Sequence, residues 1–109
     1  SGLDPFNVST AAEVARLAAA AFARPEIAGT SVMGEFAIPA GRPDGTVREM
    51  TVVNRHATLL RLGLSGAKTG FLHEAQRTAA VRRDDTVAVV LHARSLEERN
   101  RWLADLLGD

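Results

Sequence analysis

The sequence has no cysteine at all. That excludes disulfides and thiolate metal sites, and it leaves the redox compartment open, since exported chains also do without cysteine. Net charge is lacking too: 13 basic residues balance 13 acidic ones. Nothing in that balance marks a nucleic-acid footprint or an attraction to an anionic membrane. No apolar run approaches the roughly 20 residues of a membrane span. No signal-peptide pattern opens the chain, which starts abruptly at Ser1-Gly2-Leu3 and reads like the interior of something longer. The three histidines, His56, His73 and His92, share no metal-ligand spacing and have no accompanying carboxylate pair. Neither a metal nor a cofactor is expected. Lysine is the scarcest charged residue, since Lys68 is the only one and every other basic residue is arginine.

What is present suits one soluble domain or a piece of one: 109 residues, 46% hydrophobic and 24% charged. Thr10 with Glu13 forms a capping box, and Val14, Leu17, Ala18, Ala21 and Phe22 follow at helical spacing as one buried stripe. Pro25 ends that helix or begins a short second turn, with Gly29 as its stop. The turn-forming run from Gly41 to Gly45 predicts a hairpin between the residues around Phe36–Ile38 and those of Val47–Val53. The 54–62 segment is either a loop or a helical turn. Ser65 to Phe71, Gln76 to Val81 and Thr86 to Ala93 read as strands, the last two joined at Arg83-Asp84-Asp85. The near-continuous apolar run Val87–Leu91 predicts that its strand is central. Ser95 with Glu98 is a second capping box, Leu96, Leu103, Leu106 and Leu107 line the closing helix, and Gly108 stops it. Trp102 reads as helix packing. Arg55, Arg61, Arg82 and Arg83 read as solvated surface, although Arg55 or Arg61 could reach a ligand carboxylate from a cleft rim.

The lone lysine sits in Lys68-Thr69-Gly70-Phe71. A Lys-Thr-Gly strand is one of three signature elements of penicillin-interacting serine enzymes. Together with Gly2-Leu3-Asp4, Asn7-Val8-Ser9-Thr10-Ala11, Pro25-Glu26-Ile27 and Asn54, it resembles the D-alanyl-D-alanine carboxypeptidase and endopeptidase family, the low-molecular-mass penicillin-binding proteins. The resemblance covers nearly the whole chain but only the C-terminal part of the family's catalytic domain. It implies an α+β fold, the C-terminal part of the serine β-lactamase/transpeptidase-like fold, with an antiparallel sheet flanked by helices. It also implies an extracytoplasmic, periplasmic or cell-wall location.

On that resemblance Lys68 would add positive potential and a proton-relay donor. Thr69 would hydrogen-bond a substrate carboxylate, and Gly70 would let a peptide lie along the strand. The Phe71 N–H would serve the oxyanion, and Asn54, Arg55 and Arg61 would rim the cleft. The partners implied are a peptidoglycan stem peptide or a β-lactam, and the N-terminal part of the same catalytic domain. An exposed sheet edge would also allow a homo-oligomer.

The family's Ser-x-x-Lys and Ser-x-Asn motifs are missing. Ser65-Gly66-Ala67-Lys68 matches the first only as a string, because it overlaps the strand. Leu72 and Gln76 stand where the family usually has threonine and glycine. The chain is therefore expected to be inactive alone. A non-catalytic strand-edge module that binds cell-wall peptide or a protein is the alternative, and a self-sufficient hydrolase using Ser65 is the third possibility.

Overall fold

The computed structural model describes Asp4 and residues 6–109; Pro5 and Ser1, Gly2 and Leu3, the last three of which carry part of the resemblance, lie outside the described residues. The chain is α+β with antiparallel sheets flanked by helices. Its centre is a three-stranded meander of β3 (Gly66–Leu72), β4 (Gln76–Arg83) and β5 (Thr86–Ala93), with β4 in the middle. The meander is sandwiched between helix α1 (Ala11–Phe22) on one face and α4 (Leu96–Leu107) on the other. Between α1 and the meander come a short helix α2 (Pro25–Ser31), the hairpin β1 (Glu35–Gly41) and β2 (Val47–Val53), and a single helical turn α3 (Ala57–Leu60).

Local chemistry accounts for the element ends. The Thr10 hydroxyl oxygen accepts from Glu13 N–H at 3.2 Å, and its own proton goes to the Glu13 carboxylate at 3.0 Å. Ser95 caps α4 through Glu98 N–H at 3.0 Å, while the Glu98 carboxylate accepts from Arg94 N–H at 2.7 Å. Both caps satisfy amides that the first helical turn leaves without partners. Gly108 closes α4 at φ +85, a conformation open to glycine at no steric cost. Gly29 does not stop α2, which runs through it to Ser31. The hairpin forms its own two-stranded sheet, and most of its residues are exposed.

Pairing sends side chains of β3 alternately to the two layers. Gly66, Lys68 and Gly70 share the α1 face with Ala80 and Thr78 of β4, whereas Ala67, Thr69 and Phe71 share the α4 face with Val81 and Ala79. The core is built mostly of alanine and valine, and Leu59, Leu103 and Val81 are the largest fully buried side chains.

The tertiary arrangement corrects four expectations. β5 is an edge strand among the described residues, not a central one. Its apolar run comes from having both faces covered, by α1 and by α4, and that coverage says nothing about its edges. Leu17 is 71% exposed, and Leu96 and Leu106 also point outward, so the inner line of α4 is Arg99, Leu103 and Leu107 at intervals of one turn. Arg82 and Arg83 are staples rather than solvated surface. Arg82 donates to the Phe22 carbonyl and, at 3.1 Å, to Ser65 Oγ. Arg83 donates to the carbonyls of Leu62 and Leu107 and pairs with Asp109 at 2.8 Å. Trp102 is partly exposed and lines a groove instead of filling the core.

Candidate functional site

The four residues of the Lys-Thr-Gly-Phe stretch lie in the middle and at the end of β3, whose second edge pairs with no strand among the described residues. Ala67 N–H turns away from β4 to the Ser31 hydroxyl at 3.0 Å. Backbone groups alternate along a strand, so those of Thr69 and Phe71 face the same outer edge. The Lys68 ammonium folds back to the Thr69 carbonyl and therefore stands at that edge.

Lys68 and Thr69 emerge on opposite faces of β3. They can still act on one ligand, because a chain lying along the edge is flanked by both faces. On the Lys68 side runs a groove of about 470 Å³, with Val14, Gly70, Thr78 and Leu91 among its walls. A Cβ at Gly70 would project into this side and meet Thr78 Oγ1 at 2.9 Å, so the glycine keeps the groove open. On the other side Phe71 is 55% exposed, and the guanidinium of Arg77 sits 4.7 Å from its ring centroid.

Thr69 is held by a residue to which the sequence reading gave no role. His56 Nδ1 lies 3.2 Å from Thr69 Oγ1. Asn54, expected at the rim, instead supports this contact from behind. Its amide donates to the carbonyls of Ser31 at 3.2 Å and Met33 at 3.0 Å, and its oxygen accepts from His56 N–H at 3.1 Å. Asn54 thus fastens the loop that presents His56. Arg55 and Arg61 are exposed to either side of α3 and are not among the walls of the groove.

Behind His56 is Arg99, 4% exposed on the inner line of α4. Its Nε donates to Asn100 at 3.1 Å, and neither ion pair among the described residues includes it. Burial, with Arg77 in support, lowers its pKa from the ordinary guanidinium value. Burial likewise pushes the His56 pKa below the ordinary imidazole value. Ser31, through its backbone, acts in the opposite direction, and the charges of Arg99 and Lys68 add to the lowering. Helical spacing offered one signal for Arg99, since it falls one turn before Leu103; nothing local connects His56 to Thr69.

A half-buried histidine whose pKa is lowered has a consequence for stability. The unfolded chain binds its proton near the ordinary value of about 6.5, whereas the folded chain resists protonation until lower pH. The His56 contribution is therefore complete above about pH 6.5 and is lost as pH falls from there to the lowered folded value. Urea midpoints at about pH 5 and about pH 7.5 should differ more in the wild type than in His56→Gln. Equal differences would show that the ring does not resist protonation in the folded state.

The Ser65 hydroxyl is engaged with Arg82, donating to its carbonyl at 3.3 Å and accepting from its guanidinium at 3.1 Å. Among the described residues no group of three or more His, Asp or Glu side chains is placed to hold a metal ion, and no helix is long and apolar enough to cross a membrane. Compared with models of known protein families, with curated proteins and with solved structures, the chain matches none.

Proposed function

We infer that residues 1–109 are the C-terminal part of the catalytic domain of a serine-type D-alanyl-D-alanine carboxypeptidase or endopeptidase, a penicillin-binding protein of the serine β-lactamase/transpeptidase-like fold. The observation that carries this reading is the outer edge of β3. An ammonium, a hydroxyl and backbone groups that pair with no strand among the described residues come together there along four consecutive residues. A D-Ala-D-Ala peptide or a β-lactam would lie along that edge as an added strand. Its carboxylate would meet the Thr69 hydroxyl, Lys68 would support proton transfer, and Phe71 N–H would help hold the oxyanion.

Gln76 supports the same reading from the turn. It stands where the family has glycine and adopts φ +57, a conformation that glycine reaches freely and other residues reach at a cost of about 1 kcal/mol. The nucleophile and its lysine would come from the N-terminal part of the domain. The open side of β5 suits that partner, or a second copy of the chain. A groove of about 410 Å³ runs there between Val89, Leu91, Trp102 and Leu106, and an apolar strand edge of this kind calls for cover. On this reading the protein works outside the cytoplasm, on the peptidoglycan of the cell wall. On this reading residues 1–109 supply the Lys-Thr-Gly strand of the site and are inactive by themselves.

The test uses the full-length gene product and a fluorescent penicillin. A covalent label is expected on a serine outside residues 1–109, and Lys68→Ala should slow acylation by about 100-fold or more. Absence of label from the wild type would overturn the reading, as would a Lys68→Ala variant acylated at the wild-type rate.

A further inference from the structure

We propose that His56 is the positioning residue of this site: through Nδ1 it governs which way the Thr69 hydroxyl points, and it makes the β3 edge bind a carboxylate-ended peptide more tightly when the ring is protonated. The ligand half of the proposal rests on the peptidase reading; the control of Thr69 by His56 does not.

A threonine hydroxyl has one proton and two lone pairs, and a neutral imidazole nitrogen either donates or accepts. Facing a neutral His56 at 3.2 Å, Thr69 has two choices. It can accept from Nδ1 and offer its proton outward, or donate to Nδ1 and turn its proton inward. Facing an imidazolium it has one, because both ring nitrogens then donate. Thr69 must accept, and its proton is directed to whatever lies at the β3 edge. A carboxylate there accepts that proton and also gains from the added positive charge.

The surroundings disfavour the charged ring while the site is empty, so a bound anion is what would let it change state. Its other nitrogen, Nε2, is buried with no hydrogen-bond partner among the described residues. The groups acting on it are cations and a carbonyl: Arg99 from α4, Lys68 from β3 and the Ser31 backbone from α2, with Arg77 of β4 acting in turn on Arg99. No carboxylate is among them to hold the proton on the ring. A bound carboxylate at Thr69 would be the first anion the ring meets, so ligand and proton should bind cooperatively. Asn54 keeps the ring in place, since it fixes the His56 backbone at 3.1 Å and is itself anchored to Ser31 and Met33.

The experiment has two arms, both on the full-length gene product. In the first, ring nitrogens of histidine are labelled and the His56 signals are followed against pH by ¹⁵N NMR. Thr69→Val is expected to shift the Nδ1 resonance and the midpoint of titration, and Thr69→Ser to restore both. Signals unchanged in Thr69→Val would overturn the positioning role. In the second arm a peptide ending in D-Ala-D-Ala is titrated at about pH 5.5 and about pH 7.5. Wild-type affinity should rise up to about tenfold at the lower pH, the effect of one charge-assisted hydrogen bond. His56→Gln should flatten that change, and the same peptide ending in a carboxamide should not show it. An equal pH dependence in His56→Gln, or in the carboxamide peptide, would overturn the ligand half. Failure of the peptide to bind at either pH would overturn the peptidase reading together with the ligand assignment, and the nitrogen signals would still decide the role of His56.

Discussion

Leu103→Ala is expected to remove about 2–5 kcal/mol of stability, read as a fall in the urea midpoint. Leu103 is 0% exposed and packs from α4 into a cluster that includes Ala79, Val81, Ala88 and Val90. Most of those neighbours are small and belong to paired strands, so the backbone around the vacated space is fixed and little can collapse into it. The loss should therefore fall in the upper half of the range. Leu106→Ala is the control. That leucine is 58% exposed on the same helix, and its replacement should change stability by no more than about 0.5 kcal/mol. Similar losses at the two positions would mean that α4 does not present Arg99, Leu103 and Leu107 to the sheet.

Gly66→Val should be the most damaging change in β3, at about 2–3 kcal/mol. A Cβ at this position would come within 2.7 Å of Phe22 Cγ and 2.8 Å of Cδ1. Phe22 has nowhere to go. It is 3% exposed against Ala18, Ala28 and Ala80, and Arg82 holds its carbonyl. The added side chain would have to lift the end of α1 from the sheet. Gly70→Ala is the telling contrast four residues on. There the nearest atom is Thr78 Oγ1 at 2.9 Å, a single side-chain atom that donates to the Gly70 carbonyl at 3.2 Å and would have to shift. The stability loss should stay below about 1 kcal/mol, while the methyl group fills the groove beside Lys68. Combining Gly66→Val with Phe22→Leu should recover part of the loss, because the ring that clashes is gone. No recovery would place the damage elsewhere than at that contact.

Much of this protein is local, and the local part is legible in the residues. Thr10 with Glu13, Ser95 with Glu98, and Gly108 mark helix ends because capping needs only side chains a few residues apart. The hairpin at Gly41–Gly45 and the tip at Asp84-Asp85 follow from turn chemistry of the same short range. The Lys68–Phe71 strand is identifiable because one lysine in an arginine-only background draws the eye to it. Which face of each element meets the rest was decided only by the assembled fold. Leu17, Leu96 and Leu106 fit a helical stripe as well as their buried neighbours do, yet the angle at which each helix meets the sheet leaves them outside. Arg82 and Arg83 look like any exposed pair until α1, α3 and α4 bring carbonyls within reach of them. The strand run Val87–Leu91 records two covered faces and is silent on its edge. His56 meets Thr69 across 13 residues and gains Arg99 from a helix 43 residues away, a juxtaposition that depends on the sheet register and on α4 crossing beneath it. Hydrogen bonding between neighbours in the chain is set by spacing; contact between distant elements is set by how their buried faces pack, and that information belongs to the whole chain at once.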